Sequence, residues 1–264
     1  MKKTQSSLRR RRVLITARDR LLLEMVAEHR LILPAHASAL LKVSLSTAGS
    51  RLRALAGAGY LAPRRIFAGQ PTNYQITRKG LAAIGSPLPA PQLDIRAHAH
   101  DVGLAWLWLA ARDGTFGPLS TVVSERTMRS LDARPDNQPA TAPGPLGVRL
   151  GGTGPGGRER LHYPDLLLVT PEGHRIAVEL ELSAKGAARR EKILAGYGAD
   201  ARIDAVLYLV DRPALAAAIQ SSARRLGISH HIHVQWICQP AAERSGRALT
   251  AQRAPVAPIA GRER

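Results

Sequence analysis

An eight-residue segment, RIAVELEL (residues 175–182), places two glutamates within an apolar strand pattern. With a period of two, Glu179 and Glu181 share one face with Ala177, and the aliphatic residues take the other face. Carboxylates left unpaired near a core are costly. The segment therefore predicts a strand whose acidic pair must be compensated by other groups.

The segments around RIAVELEL alternate between strand-like and helix-like patterns. HYPDLLLVT comes before it, across a turn at residues 171–173, and a helix over 187–197 and the strand AVLYLV follow. The first elements of this part are a helix over 95–111, capped by Asp94, and the strand PLSTVVSER. The last are a helix over 213–226 and the strand IHVQWI. This order predicts an α+β fold in which residues 94–238 form a mixed sheet flanked by helices.

A third carboxylate, Asp165, follows Pro164 one hairpin before the glutamate pair. We expect Asp165, Glu179 and Glu181 to meet at one edge of the sheet. Three hard oxygen donors suit Mg²⁺ or Mn²⁺ rather than zinc. Such an ion lowers the pKa of a bound water and stabilises charge on a phosphate during displacement. The three residues are therefore predicted to be catalytic and to hold a divalent metal.

Basic side chains follow the acidic strand. Lys185 comes four residues after Glu181, and Arg189 and Lys192 continue from it at helical spacing. Arginine and lysine bind phosphate oxygens through charge-assisted hydrogen bonds. We expect Lys185 to be a catalytic-site residue and Lys192 an accessory one. Glu125 and His100 are further candidates to complete the pocket.

Positive charge is concentrated in the first third of the chain. The net charge is +18, and residues 1–96 supply +13 of it, with 17 Lys and Arg against 4 Asp and Glu. Such an excess is typical of polyanion binding, with nucleic acid the first expectation. Aromatic residues make up only 4% of the chain, which argues against a broad stacking platform for single strands.

Residues 14–84 predict a winged helix-turn-helix that binds double-stranded DNA. A helix over 16–29 begins at Thr16, a second begins at Pro34, and a third, capped by Ser46, runs to about Gly57. A hairpin with its turn at residues 69–71 forms the wing. The predicted DNA-binding residues on the third helix are Ser46, Thr47, Ser50, Arg51 and Arg53. Those near the DNA backbone are Arg64, Arg65, Arg78 and Lys79.

Three segments outside these units are poor in apolar residues. Residues 85–93 contain three prolines and predict a semi-rigid linker. Residues 132–160 hold seven Gly and five Pro and predict a disordered insertion, and residues 239–264 predict a loose basic tail. The single cysteine, Cys238, excludes an internal disulfide and fits a reducing cytoplasm. No apolar stretch is long enough for a membrane span.

The order strand-PD, hairpin, strand-ExE, basic helix and strand resembles the PD-(D/E)xK nuclease superfamily, with Asp165, Glu179 and Glu181 at the motif positions. Glu181 stands where that superfamily usually has lysine, and Lys185 is a candidate to substitute for it. Over residues 16–228 the chain is similar to the replication-relaxation proteins and MOBC-class mobilisation relaxases of plasmids and conjugative elements. The segments that carry this resemblance are TARDRLLLEMV, SRLRALAGAGYL, YQITRKGLAAI, HDVGLA, SER, YPDLLL and VELELSAK with Tyr197.

The resemblance implies a winged helix joined to a nuclease-like domain that nicks DNA at a transfer or replication origin with Mg²⁺ or Mn²⁺. A metal-bound water or a tyrosine, with Tyr197 as an accessory candidate, attacks phosphorus. Other relaxosome or conjugation proteins are implied as partners. The alternative is a non-catalytic DNA-binding accessory protein or transcriptional regulator with a degenerate nuclease fold.

Simpler interpretations stay open for single residues. The glutamates of RIAVELEL also suit a solvated strand face paired with nearby arginines, and Glu125 suits a structural ion pair with Arg126. His100 also suits a core histidine. The run His231-Ile232-His233 is typical of the metal motif of another relaxase class, whose tyrosine nucleophile lies near the amino terminus. The first tyrosine here is Tyr60, inside the predicted wing.

Overall fold

Three helices and a hairpin form the amino-terminal part of the protein. The computed structural model describes residues 14–134, 145–154 and 157–237. The first elements are α1 (Ala17–Glu28), α2 (Pro34–Leu41), α3 (Leu45–Gly57), β1 (Leu61–Arg64), β2 (Asn73–Ile76) and α4 (Arg78–Ile84). β1 and β2 are antiparallel, with Leu61 opposite Ile76. The three predicted helices and the hairpin are confirmed, whereas α4 was not predicted.

The helix starts follow local capping chemistry. The Thr16 side chain accepts a hydrogen bond from the Asp19 amide, and the Asp19 carboxylate accepts one from the Thr16 amide, which is a capping box. α2 begins at Pro34, as predicted. The predicted cap of α3 is wrong. The Ser44 hydroxyl accepts a hydrogen bond from the Thr47 amide, and Ser46 lies within the first turn of the helix.

The remaining elements follow a short 3₁₀ turn (Ile95–Ala97). They are α5 (His98–Arg112), β3 (Thr121–Ser124), α6 (Glu125–Asp132), β4 (Val148–Thr153), β5 (Glu159–His162), β6 (Leu166–Val169), β7 (Arg175–Glu181), α7 (Ala187–Ala199), β8 (Ala205–Val210), α8 (Pro213–Arg225) and β9 (Ile232–Trp236). Five strands form one sheet in the order β3-β6-β7-β8-β9. β3, β6 and β7 pair antiparallel, whereas β7, β8 and β9 pair parallel. The predicted mixed α+β fold is confirmed.

Each face of this sheet has its own hydrophobic cluster. Val178 and Leu180 of β7 pack with α5 and with the helices of the amino-terminal part. Ala177 packs on the opposite face with α7 and α8. The period-two prediction for RIAVELEL is therefore confirmed. Because one cluster includes residues from α1 through to β8, the amino-terminal helices and the sheet share a continuous core.

The 85–93 segment packs against this core. Leu88 is 7% exposed and belongs to the shared cluster. The Pro89 carbonyl accepts a hydrogen bond from the Arg126 guanidinium of α6. The segment therefore contacts both parts that it joins.

The prediction of a disordered insertion over 132–160 is wrong for the part that the structure describes. β4 and β5 form an antiparallel hairpin, with Val148 opposite His162. Val148 is fully buried against α7 and anchors the hairpin to the core. A few apolar residues suffice because α7 supplies the rest of the apolar contact surface. Residues 135–144 and 155–156 lie outside the described residues.

Two further predictions concern the carboxy-terminal tail and membrane-spanning segments. Cys238 and the predicted tail over 239–264 lie outside the described residues. Among the helices described, none is long and apolar enough to cross a membrane.

Candidate functional site

The three predicted carboxylates lie near one another where β6 begins and β7 ends. Asp165 immediately precedes β6, and its Oδ2 accepts a hydrogen bond of 2.7 Å from the Leu180 amide of β7. The antiparallel register places Leu166 opposite Val178 and so brings Asp165 level with Glu179. The prediction that the three carboxylates meet at one edge of the sheet is wrong in this respect. β6 and β7 are internal strands, so the carboxylates lie at strand ends within the sheet.

Glu179 is the most enclosed of the three. Its side chain is 3% exposed, and Oε1 lies 2.6 Å from His162 Nε2 and accepts a hydrogen bond from the Tyr197 hydroxyl. Burial alone would raise the pKa of Glu179, but His162, Lys185 and the tyrosine hydrogen bond lower it below its ordinary value. Glu179 is therefore a charged carboxylate with one oxygen held by two donors.

Glu181 is compensated by Lys185. The Lys185 ammonium donates to Glu181 Oε2 and lies 4.0 Å from Glu179 Oε2. Burial, Glu179 and Asp165 raise the pKa of Glu181 in spite of this cation. Burial would lower the pKa of Lys185, but the surrounding carboxylates raise it, so the ammonium stays charged. Lys185 is thus a fixed positive charge between two glutamates.

Asp165 also contacts the helix on the other face of the sheet. His100 Nε2 on α5 lies 3.1 Å from Asp165 Oδ2. Burial would lower the pKa of His100, but the hydrogen bond and charge of Asp165 raise it. The contact therefore stabilises the protonated form of the imidazole. His100 approaches from the α5 face and His162 from the α7 side, so the site is enclosed by both layers.

The loop that carries Lys185 is held by two arginines. Arg190 of α7 donates to the Lys185 carbonyl at 3.2 Å and to the Ser222 hydroxyl of α8 at 3.0 Å. Arg212 donates to the Leu182 carbonyl. These contacts fix residues 182–186 against both helices and so position the ammonium.

Glu125 belongs to a neighbouring ionic junction. Its carboxylate pairs with Arg30 at 2.9 Å and with Arg129 at 2.8 Å. Arg30 also lies 3.4 Å from Asp101, whose side chain is 2% exposed. A small cavity of about 10 Å³, enough for one water, lies between these groups and Asp165. Glu125 reaches the site through its backbone, because its amide donates to the Asp165 carbonyl at 3.1 Å.

The predicted accessory residues of α7 lie in different surroundings. Tyr197 is fully buried, and burial together with Glu179 raises the pKa of its hydroxyl well above the ordinary value. A phenol that stays protonated inside the core is a poor nucleophile, so Tyr197 is poorly placed for the role of attacking tyrosine. Lys192 is exposed on α7 and contacts none of these groups.

The donor chemistry of the carboxylates fits a hard divalent cation, and Asp165, Glu179 and Glu181 are the residues that would hold it. In residues 14–134, 145–154 and 157–237, however, no group of three or more His, Cys, Asp or Glu is arranged to hold a metal ion. Lys185 and the two histidines supply the compensation instead. The metal remains a hypothesis based on residue type.

The predicted DNA-binding residues of α3 are mostly at the surface. Ser46, Thr47, Ser50 and Arg53 are exposed, and the Arg53 guanidinium donates to the Ser50 hydroxyl at 2.9 Å. Arg51 is less exposed than these residues, and its guanidinium forms a bidentate ion pair with the buried carboxylate of Asp19. Arg51 therefore links α3 to α1.

The predicted backbone-binding residues lie on and beside the hairpin. Arg64, Arg65, Arg78 and Lys79 are exposed. Arg64 also donates to Gln75 at 3.3 Å. The Lys79 ammonium donates to the Ala58 carbonyl at 2.7 Å and lies over the Tyr60 ring. It therefore stabilises the end of α3.

Two site residues escaped the sequence reasoning. His162 precedes Asp165 by three residues, and this proximity to the Pro-Asp pair is the signal that could have found it. Arg30 gave no comparable signal, since its partners Asp101 and Glu125 are 71 and 95 residues away. His231 immediately precedes β9 and His233 is its second residue; β9 is an edge strand two positions from β7.

Comparison with known proteins supplies no relative from which a function could be transferred. No protein-family model matches the chain, and no curated protein or solved structure is significantly similar to it. The function must therefore be argued from the site itself.

Proposed function

We propose that this protein binds double-stranded DNA through its amino-terminal helices and hairpin and nicks it at the acidic site. The observation that carries the proposal is the meeting of Asp165, Glu179, Glu181 and Lys185 at the ends of two internal strands. Buried carboxylates beside a charged lysine are costly to assemble, and a site that handles a phosphodiester is a reason to keep them.

The residues have separable roles in this proposal. Asp165, Glu179 and Glu181 hold Mg²⁺ or Mn²⁺, which when bound would activate water and stabilise charge on phosphorus. Lys185 binds a phosphate oxygen. His162 and Tyr197 orient Glu179 by binding Oε1. His100 orients Asp165 from the α5 face.

The amino-terminal part supplies DNA recognition in the same proposal. Its three helices and hairpin follow the order expected of a winged helix, which supports the proposal, and α3 presents small polar residues and Arg53 to solvent. Such side chains bind base edges and phosphates. Together with the PD-(D/E)xK-like order of the second part, this supports a replication-relaxation or MOBC-type protein of a mobile element, with relaxosome or conjugation proteins as further partners.

The first test defines the DNA. Duplexes are selected from a random library with the full chain, and binding is compared with Arg53→Gln. We expect the variant to bind more weakly and its salt slope to fall by about 0.9 for the lost phosphate contact. Equal affinity and slope would remove Arg53 from the interface.

The second test addresses cutting. A supercoiled plasmid carrying the selected site is incubated with Mg²⁺ or Mn²⁺ and wild type, Asp165→Asn or the surface control Asp113→Asn. We expect wild type and the control to produce open circles and Asp165→Asn to produce none. Absence of nicking by wild type, with DNA binding intact, would overturn the enzymatic part of the proposal.

A non-catalytic accessory protein or transcriptional regulator is the second candidate. It is favoured by one observation, the ion pair between Lys185 and Glu181, which compensates the charge of Glu181 without a metal. In that case the acidic cluster stabilises the fold and only DNA binding remains. The plasmid assay separates the two functions directly.

A further inference from the structure

We propose that the β4–β5 hairpin is a second DNA-binding element, which binds the sugar–phosphate backbone beside the acidic site. This inference rests on the proposed function, because it assumes that duplex DNA reaches that site. It assigns a binding role to a segment whose composition predicts disorder.

The hairpin lies directly against the residues that enclose Glu179. β5 ends at His162, whose Nε2 is 2.6 Å from Glu179 Oε1. β4 packs on α7, and a side chain at Gly196 would place its Cβ 2.9 Å from the Arg149 carbonyl oxygen. Gly196 neighbours Tyr197, the other donor to Glu179. Anything bound along the hairpin is therefore next to the carboxylates.

Exposed cations follow the outer surface of the hairpin. Arg149, Arg158 and Arg160 are exposed, and only Arg149 has an acidic partner there, Glu159 at 3.0 Å. Within the described residues, Arg158 and Arg160 form no ion pair with a carboxylate. Such guanidinium groups are available to pair bidentately with phosphate oxygens.

The basic surface continues onto α7. Lys192 is exposed one helical turn before Gly196, the residue of α7 that packs against β4. Arg189 is exposed one turn earlier. The hairpin and the first half of α7 thus form one positively charged rim beside an acidic pocket. This arrangement suits a DNA strand whose scissile phosphate enters the acidic pocket while the adjacent phosphates bind the positively charged rim.

The backbone of β4 also suits close approach by a ligand. Gly151 and Gly152 both have positive φ, at 70° and 71°, and a Cβ on either would point into open space. Glycines at such positions leave amide groups uncovered by side chains. Exposed amides and arginines together are the usual phosphate-binding groups of a DNA interface.

The test compares two variants that lose the same charge. Arg158→Gln/Arg160→Gln removes the unpaired hairpin arginines and leaves the Arg149–Glu159 pair intact. Arg112→Gln/Arg224→Gln removes two exposed arginines at the ends of α5 and α8. Binding of the full chain to its selected duplex is measured by fluorescence anisotropy from about 50 to about 200 mM salt.

We expect the slope of log K against log salt to become less steep only in the hairpin variant. Each lost phosphate contact lowers the slope of log K against log salt by about 0.9, which corresponds to about eightfold weaker binding at 0.1 M salt. Arg158→Lys/Arg160→Lys keeps the charges and is expected to keep most of the slope. Thermal melting of each variant verifies that the hairpin change leaves the fold intact.

Two results would overturn the inference. A hairpin variant with the wild-type slope would show that no phosphate contacts are made there. An equal loss in the control variant would show a bulk charge effect. If the wild type binds no duplex at all, the proposed function fails first, and that outcome is distinct from both.

Discussion

Replacing Arg30 by methionine tests whether the ionic junction between α1, α5 and α6 stabilises the fold. Arg30 lies 3.4 Å from Asp101 and 2.9 Å from Glu125, and its own side chain is 30% exposed. Methionine keeps the length of the side chain and removes the charge. Glu125 keeps its ion pair with Arg129 at 2.8 Å. Asp101 therefore loses more of its charge compensation than Glu125 does.

The magnitude follows from the burial of Asp101. Its side chain is 2% exposed, and within the described residues its Oδ2 has no hydrogen-bond partner. Removing one member of a buried ion pair costs about 3–5 kcal/mol. Because Arg30 is partly solvated, we expect a loss at the lower end, about 3 kcal/mol near pH 8.

The pH dependence gives the sharper test. Burial raises the pKa of Asp101 above its ordinary value, and Arg30 opposes that rise. Without Arg30 the folded-state pKa of Asp101 rises further, so the folded variant takes up a proton more readily than the unfolded chain. The stability linked to that proton is present at low pH and is lost as pH rises through the folded pKa. The deficit of the variant relative to wild type must therefore grow as pH rises above the ordinary pKa of an aspartate.

Urea unfolding followed by tryptophan fluorescence measures this difference at each pH. Arg18→Met, an exposed change on α1, is the matched control and is expected to stay within about 0.5 kcal/mol of wild type. A deficit below about 1 kcal/mol, or one that does not change with pH, would refute the assignment of Arg30 as the compensating charge of Asp101.

Two other changes test packing and hydrogen bonding near the acidic site. Gly196→Ala places a Cβ 2.9 Å from the Arg149 carbonyl and is expected to lower the free energy of unfolding by about 1–3 kcal/mol, whereas Gly57→Ala, with nothing within 4 Å, is not expected to destabilise; urea denaturation compares them. Tyr197→Phe removes a buried donor to Glu179 and is expected to cost about 1–3 kcal/mol by thermal or urea melting. A phenylalanine variant as stable as wild type would show that Glu179 is satisfied without the hydroxyl.

Local patterns were sufficient for most of the architecture. The alternation in RIAVELEL predicted which residues of β7 face each layer, and Thr16 and Pro34 marked helix starts through capping chemistry that involves only near neighbours. The same patterns predicted that Asp165 and the two glutamates would lie together, since one hairpin separates them.

Composition failed where long-range packing decided the outcome. The Gly- and Pro-rich segment contains too few apolar residues to form a core alone, yet Val148 is buried because α7 presents Gly196 to it. The hairpin is therefore stabilised by a helix about 40 residues away in the sequence. The composition of a short segment carries no information about a packing partner that is distant in the sequence.

By itself, the sequence determined the α+β class, most of the strand and helix order, and the chemical type of the candidate site, because these depend on periodicity and on neighbouring residues. Only the tertiary structure decided how each charge is compensated. Arg51 pairs with a buried aspartate, Glu179 is held by His162 and Tyr197, and Lys185 lies between the glutamates. Side-chain partners that lie far apart in the sequence meet only after the sheet and helices pack, so their pairing is a property of the fold.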